Sequence, residues 1–181
     1  ALEKGTGVST YARNLTYCLH DMGHEVSVLY GSRRAPDKSQ LMKEIAFFDE
    51  NVVSPSAAIK RWRGALEILV PRLSRKAHPL TLSGAVIHRQ FSSRMPYFDA
   101  LWNSPHIFDH APIHFKWFGG RLNLTPPSAV DVMHWTYPLP LRMRETKNIY
   151  TLHDLVPLRL PYTTLDRKRD YYKLMQLLVK R

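Results

Sequence analysis

The sequence is poor in cysteine and in acidic residues, and it has no long apolar run. Its 181 residues contain one cysteine, Cys18, so an internal disulfide is excluded and a reducing compartment is favoured. No segment approaches the ~20 uninterrupted apolar residues of a membrane-spanning helix. Because no secretory signal pattern opens the chain either, we expect a cytoplasmic location.

Basic residues are in excess, with 26 Lys and Arg against 15 Asp and Glu, and the formal net charge is +11. Such a balance predicts an anionic partner: nucleic acid, an anionic membrane or an acidic substrate. Residues 56–95 hold eight basic residues and one acidic residue. A second basic cluster lies near the end of the sequence and comprises Arg167, Lys168, Arg169, Lys173, Lys180 and Arg181.

The first motif is a glycine loop, Gly5-Thr6-Gly7, that precedes an amphipathic pattern. Apolar residues recur there at helical spacing, and a strand pattern over residues 25–30 follows. A glycine loop at a helix N-terminus directs backbone N–H groups and the helix dipole at one spot, which suits a phosphate. A tight turn with an N-cap at Ser9 or Thr10 is the plainer interpretation.

The helix after this loop is expected to bury one stripe and to end at Gly23. Cys18 lies at the border of that stripe, so we expect a packed thiol rather than a reactive one. The residues that form the stripe are Val8, Tyr11, Ala12, Leu15, Cys18, Leu19 and Met22.

Two further strand patterns end in polar residues. Residues 129–135 predict a buried strand that carries His134 and is followed by Thr136, and residues 148–152 predict a strand that ends at His153-Asp154. Ligands of open parallel α/β sheets bind at the carboxyl ends of the strands, so these residues are predicted to gather at one site. Alternatively, each histidine only satisfies a backbone group.

The middle of the chain predicts less. Residues 57–69 have a helical apolar pattern, and Lys60, Arg61, Trp62 and Arg63 suggest either a solvated face or a helix that lies on anionic lipid. We also expect helices over residues 38–48, over residues 85–93 and from residue 164 onwards, and a strand near residues 51–53.

Histidines are concentrated in His106-x-x-Asp109-His110-x-x-x-His114, which invites a metal-site interpretation. Pro112 interrupts the spacing between His110 and His114, so a shared helix face is not expected. Aromatic and apolar residues surround the cluster. We therefore expect a loop packed on the core, or a loop that contacts an acceptor, and no metal.

Two stretches resemble the retaining, nucleotide-sugar-dependent glycosyltransferases of the two-domain GT-B fold, and mannosyltransferase-like members of group 1 are the nearest match. The stretches cover the two ends of the chain, and the middle matches poorly. The first consists of residues 5–11 with Asn14, Leu15, Leu19 and residues 23–26; the second consists of residues 131–134 with Thr136 and residues 151–157.

The resemblance implies that residues 1–181 form one acceptor-side domain, the N-terminal half of such an enzyme. Its fold would be α/β, a Rossmann-like open parallel sheet with helices on both faces. The family's first strand and its C-terminal donor domain, with an Arg/Lys pair and a Glu-x7-Glu pattern, are not found in this sequence. We therefore expect a fragment that is inactive by itself.

The resemblance also implies roles for individual residues. Gly5, Thr6 and Gly7 would approach the donor diphosphate, and His153 would contact a hydroxyl of the transferred sugar. Asp154 would orient His153 or cap the following turn. His134 and Thr136 would line the acceptor side.

The implied activity is transfer of a hexose, such as mannose, from a nucleotide sugar to a glycan or a lipid-linked saccharide with retention of configuration. The nucleotide sugar is a co-substrate, and neither a metal nor another cofactor is expected. An anionic membrane surface is an expected partner, with the protein peripheral on it. The alternative is a basic nucleic-acid-binding module, or another nucleotide-binding α/β module without transferase activity; no recognisable nucleic-acid motif favours the former.

Overall fold

The computed structural model describes residues 7–31, 75–81, 95–160, 162 and 167–180. The chain divides into two compact units, Ala1–Trp62 with Lys76–Ile107 and Arg63–Arg75 with Phe108–Arg181. Several expectations lie outside the described residues. They are Gly5 and Thr6, Lys60 to Arg63, the helices over 38–48, 57–69 and 85–93, and the strand near 51–53.

The first unit begins with helix α1, Gly7–Asp21, which confirms the predicted helix. It starts earlier than expected, because Gly7 lies in its first turn and Ser9 and Thr10 lie inside it, so neither is its N-cap. The helix ends at Gly23, where φ is +85°, a conformation that costs glycine little. The Gly23 N–H donates to the His20 carbonyl at 2.8 Å and the His24 N–H donates to the Leu19 carbonyl at 3.1 Å. These are the two hydrogen bonds of a Schellman cap, so the predicted stop at Gly23 is confirmed.

Helix α1 packs less deeply than its stripe predicts, and none of its residues is buried. The backbone N–H of Tyr97 donates to Thr16 Oγ1 at 2.9 Å, and the Tyr97 ring stacks on His20 with 3.7 Å between ring centroids. Cys18 is two residues from each, a rotation of about 200° around the helix. The thiol therefore faces away from this contact and is exposed, so the expectation of a packed Cys18 is wrong.

Strands β1 (Ser27–Tyr30), β3 (His78–Pro79) and β4 (Ala100–Asn103) form the sheet of the first unit in the order β1-β4-β3. Strand β1 is parallel to β4, and β3 is antiparallel to it. The strand predicted over 25–30 is thus confirmed, with shorter bounds. The buried apolar residues of the first unit include Val26, Ala77, Leu80, Leu101 and Trp102.

The second unit contains two small sheets. Strands β2 (Arg75–Lys76), β5 (Leu122–Thr125) and β7 (Leu141–Met143) form one, in the order β2-β5-β7. Strands β6 (Val132–Trp135) and β8 (Lys147–Tyr150) form the other and are parallel. Both predicted strands are therefore present, but β6 is not the buried strand that was expected, since only Trp135 of its four residues is buried.

The sheet of β5 and β7 is built on matched alternation. The parallel register pairs Leu122 with Leu141 and Leu124 with Met143, and all four side chains are buried. Between them, Asn123 and Arg142 are exposed, as the period of two in a strand requires. The apolar face of this sheet, with Trp135 and Leu139, forms the core of the second unit.

Three helices are described around these sheets: α2 (Ile107–Phe118), α3 (Val156–Arg159) and α4 (Lys168–Val179). Helix α4 confirms the helix expected after residue 164. Helix α2 contradicts the loop expected around His106 to His114, because Pro112 lies inside the helix rather than ending it. Burial of Ile107, Ala111 and His114 anchors the helix on both sides of Pro112 and offsets the lost backbone hydrogen bond.

The described residues are mixed α/β, with short and mostly parallel strands, which confirms the predicted fold class at that level. The three sheets are separate in this part of the chain. Among the residues that the structure describes, no helix has both the length and the apolar character needed to cross a membrane.

Candidate functional site

The two predicted histidine motifs lie side by side because β6 and β8 run parallel. Their register pairs His134 with Ile149 and Trp135 with Tyr150. The ladder continues beyond the strands, where the Thr151 N–H donates to the Trp135 carbonyl at 3.0 Å. The carboxyl ends of both strands therefore meet at one edge, as expected for a ligand site in a parallel sheet.

The β6–β8 pair has two different faces, because side chains alternate along a strand. One face carries Trp135, Asn148 and Tyr150. Trp135 is 2% exposed, and its ring stacks with that of Tyr150 at a centroid distance of 6.4 Å. This face belongs to the core. The other carries His134 and Ile149, of which Ile149 is exposed.

Asn148 fixes the core face through four hydrogen bonds. Its Oδ1 accepts from Trp135 Nε1 at 2.9 Å and from the Met143 N–H at 2.8 Å. Its Nδ2 donates to the carbonyls of Met143 at 2.9 Å and Thr146 at 2.8 Å. One amide thus joins β6, β8 and the turn after β7, in which Glu145 has a φ of 56°.

On the opposite face, His134 contacts the chain just beyond β8. Its Nε2 lies 2.6 Å from Thr151 Oγ1, a hydrogen-bonding distance that connects β6 to the segment leading to His153. Partial burial lowers the pKa of His134 below its ordinary value of 6.5. The imidazole is therefore neutral at pH 7.

His153 makes the reciprocal connection. Its Nε2 lies 2.7 Å from the carbonyl oxygen of Thr136, beyond the end of β6. A carbonyl oxygen only accepts, so Nε2 carries the proton. In the neutral imidazole Nδ1 is then the acceptor nitrogen. The side chain is exposed, so this ring lies at the surface of the unit.

Asp154 caps the turn that follows the site. Its Oδ1 accepts from the N–H of Val156, the first residue of α3, at 3.0 Å. Its carbonyl accepts from the Tyr171 hydroxyl of α4 at 3.4 Å. Of the two roles expected for Asp154, these contacts correspond to capping. The residue holds the chain after His153 in place.

Gly7, in the first unit, is the first residue of α1 and is exposed. A Cβ added at this position would meet nothing within 4 Å. Packing among the described residues therefore gives no reason for a glycine here.

The histidines of α2 form a different arrangement. Arg75 Nη2 lies 3.1 Å from His110 Nδ1, so this ring nitrogen already has a hydrogen-bonding partner. His114 is buried, and its Nδ1 has no hydrogen-bond partner among the described residues. In the described part of the chain, no three or more His, Cys, Asp or Glu side chains are grouped so that they could hold a metal ion.

The structure thus brings His134, Thr136 and His153 together in the second unit. Gly7 lies in the first unit. Sequence reasoning did not assign a role to Thr151 or Asn148. Thr151 could have been found as the residue after a predicted strand. The contacts of Asn148 depend on the register of β6 and β8, which has no sequence signature.

Comparisons of the chain with protein-family models, with curated proteins and with solved structures find no match. The site itself is therefore the basis for assigning a function. Its defining feature is the pair of crossed histidine contacts at the ends of two parallel strands.

Proposed function

We propose that the chain is the acceptor-side domain of a retaining glycosyltransferase of the GT-B fold. It would transfer a hexose, such as mannose, from a nucleotide sugar to a glycan or a lipid-linked saccharide. The observation that carries the proposal is the reciprocal contact of His134 with Thr151 and of His153 with Thr136. These residues come from the two motifs that resemble the family's strand ends.

In this proposal His153 positions the transferred sugar. The hydrogen bond to the Thr136 carbonyl holds the imidazole ring in one orientation at the edge where the transferred sugar would bind. Such a group contributes through orientation and electrostatics rather than through covalent chemistry. Asp154 supports it by capping the turn before α3.

His134 and Thr136 would line the acceptor side. A neutral His134 introduces no charge beside an acceptor hydroxyl, and burial favours that neutral form. The exposed Ile149 on the same face of β6–β8 offers apolar surface to a sugar ring or a lipid-linked group.

Transfer with retention in this scheme needs no protein nucleophile. The bond from the anomeric carbon to the diphosphate oxygen breaks, the acceptor oxygen bonds to the same face of that carbon, and the diphosphate takes the acceptor's proton. The resemblance assigns the diphosphate to the glycine loop Gly5-Thr6-Gly7, of which the structure describes only Gly7.

The Rossmann-like architecture is part of the same proposal. Three parallel pairs, β1 with β4, β5 with β7 and β6 with β8, support an origin in an open parallel sheet.

The test uses the full-length protein, a panel of GDP- and UDP-sugars and candidate acceptors. Release of nucleoside diphosphate that depends on both substrates, with an anomeric configuration retained in the product, is the expected result. Salt-dependent binding to arbitrary DNA without transfer from any sugar nucleotide would instead support the basic binding module. Nucleotide binding without transfer would support the other alternative.

A further inference from the structure

Helix α2 has an outward face with large apolar side chains. Its inner side carries Ala111 and His114, which are buried. On the opposite side Ile113 is 41% exposed and Trp117 is 65% exposed, and the two lie one helical turn apart. Pro112 is exposed beside them. The outward face of α2 is therefore largely apolar.

Trp117 differs in exposure from the other tryptophans that the structure describes. Trp102 and Trp135 are both buried and belong to cores. An exposed aromatic side chain with an apolar neighbour is typical of a surface that another molecule covers. The charges of α2 indicate which molecule that is.

Two residues of opposite charge lie on the same outward face. Asp109 is in the first turn of α2 and Lys116 is in its last turn, and both are exposed. Because they are seven residues apart, their side chains lie within ~20° of each other around the helix. Ile113 lies beside the midpoint between them. Along one line, α2 thus presents a carboxylate, an apolar centre and an ammonium group.

This order of groups is complementary to itself. If a second copy of α2 packs antiparallel to the first, a two-fold axis passes beside Ile113, and Asp109 of each copy faces Lys116 of the other. The two Ile113 side chains meet at the axis, and Trp117 packs beside the partner helix. Parallel packing would instead oppose like charges.

We propose that this face of α2, defined by Asp109, Pro112, Ile113, Lys116 and Trp117, is a two-fold interface with a second copy of the chain. A contact between two single helices is at the lower end of specific interfaces in size, so a dissociation constant on the order of 10 µM is expected. None of these residues belongs to the candidate site, so the dimer is independent of the proposed sugar transfer.

Sedimentation equilibrium of the full chain between ~1 and ~100 µM is the measurement, because this range brackets the expected dissociation constant. We expect a reversible equilibrium between monomer and dimer. Asp109→Lys and Lys116→Asp each oppose like charges in both ion pairs and should weaken dimerisation by ~10-fold or more. An equimolar mixture of the two variants should recover the dimer, since each then faces opposite charges on the other.

Asp170→Lys is the matched control. Asp170 is the third residue of α4, as Asp109 is of α2, and it is also exposed, so the substitution changes the net charge equally. It should dimerise within ~2-fold of the wild type, because charges away from the contact are screened by salt. A wild type that stays monomeric, equal weakening by both Asp→Lys variants, or a mixture that does not associate would overturn the proposal.

Cross-linking tests the position of the axis. Cys18 is exposed and would compete, so Cys18→Ser is the background. In that background Ile113→Cys should form a disulfide-linked dimer on mild oxidation, because the two copies meet there. Val179→Cys, at an exposed position of α4, is the control. Cross-linking of Ile113→Cys no faster than that of Val179→Cys would contradict the proposed interface.

A further variant covers the case in which circular dichroism shows that a charge variant is unfolded. Trp117→Ala removes the largest exposed apolar group of the face and should weaken dimerisation by ~10-fold, since aromatic side chains dominate such contacts. Val179→Ala is its control and should dimerise as the wild type does. Equal dimerisation of Trp117→Ala and Val179→Ala would exclude this face of α2 as the interface.

Discussion

His153 and Thr136 are joined across the ends of β8 and β6 by a hydrogen bond of 2.7 Å from Nε2 to the carbonyl oxygen. His134 and Thr151 form the reverse connection, from β6 to the end of β8, at 2.6 Å. The chain at the end of each strand therefore contributes one histidine and contacts the histidine from the other strand. The crossed contacts hold both imidazoles at the same edge of the parallel pair.

Removal of the His153 ring should affect catalysis more than folding. Under the proposed function, His153→Ala is expected to reduce kcat/KM by about 10- to 100-fold, because one positioned hydrogen bond to the sugar is lost. The free energy of unfolding should fall by only about 1 kcal/mol, because the group is exposed. Steady-state kinetics and urea unfolding measure the two effects.

Leu152→Ala provides the control for His153→Ala, since Leu152 is an exposed neighbour without an assigned role. It should retain nearly all activity. His153→Gln should recover part of the loss, because the Gln amide can still donate to the Thr136 carbonyl. Full activity of His153→Ala on the native substrates would show that the residue has been assigned incorrectly.

His134 should make stability depend on pH in a defined direction. Burial lowers its pKa in the folded protein below 6.5, so the unfolded chain takes up a proton first as the pH falls. The contribution is present above pH 6.5, and it is lost as the pH falls from there through the folded-state pKa. His134→Gln keeps a hydrogen-bonding group for Thr151 but does not titrate.

The measurement for His134 is the free energy of unfolding of wild type and His134→Gln between about pH 8 and pH 5, where histidine titrates. Other histidines contribute equally to both proteins, so the difference between the two curves reports His134. We expect the wild type to lose stability relative to the variant on acidification. A difference that does not change with pH would contradict the burial of this ring.

Asn148 should be a major determinant of stability in the second unit. Asn148→Ala removes four hydrogen bonds and leaves Trp135 Nε1 and the Met143 N–H without their acceptor. We expect a loss of about 2–4 kcal/mol in the free energy of unfolding. Asn123→Ala, on the exposed side of β5, is the matched control and should change stability by less than about 0.5 kcal/mol.

Asn148→Asp separates the two halves of the Asn148 network. It keeps an oxygen that accepts from Trp135 and Met143 but places a charged acceptor against the Met143 and Thr146 carbonyls in place of the donor. We therefore expect a loss at pH 7 at least as large as that for Asn148→Ala. A loss for Asn148→Ala no larger than that for Asn123→Ala would show that these hydrogen bonds contribute little.

Two glycines at opposite ends of α1 should respond differently to substitution. Gly23→Ala forces a side chain into a φ of +85° and should cost about 1 kcal/mol. Gly7→Ala enters open space and should leave stability unchanged or slightly higher, by less than ~1 kcal/mol. Thermal unfolding of the two variants compares them directly, and equal effects would contradict the cap at Gly23.

Gly7 also gives a functional prediction. Under the proposed function, Gly7→Val should raise the KM for the nucleotide sugar, because the branched side chain would block close approach of the backbone to a diphosphate. Since the position is open, the variant should fold normally. Unchanged donor kinetics with a folded variant would remove α1 from the proposed donor site.

The sequence predicts elements well where local chemistry and packing agree. Helix α1 ends at Gly23 because glycine adopts a positive φ at little cost. Strands β6 and β8 were predicted because each is a short apolar segment between turns. The gathering of His134, Thr136 and His153 follows from the parallel arrangement of these strands. That arrangement was expected from the order of the motifs.

Other features depend on contacts between distant residues and could not be read locally. Pro112 suggests a helix break, yet burial of Ile107 and His114 maintains α2 across it. Cys18 belongs to an apolar pattern, but Tyr97 contacts the opposite side of α1. The four hydrogen bonds of Asn148 require the β6–β8 register, which only the folded chain defines.

Strands β5 and β7 pair in one sheet, and strands β6 and β8 pair in another. The chain between β5 and β7 therefore contains β6, and the chain between β6 and β8 contains β7. We expect these sheets to open as one cooperative unit. The amide hydrogens of Arg144 and Thr151, bonded to the Leu124 and Trp135 carbonyls, should then exchange with solvent at the same opening free energy. Native-state hydrogen exchange tests this, and two separate opening free energies would contradict it. The ends of β6 and β8 that carry the histidines can therefore separate only when both sheets unfold together.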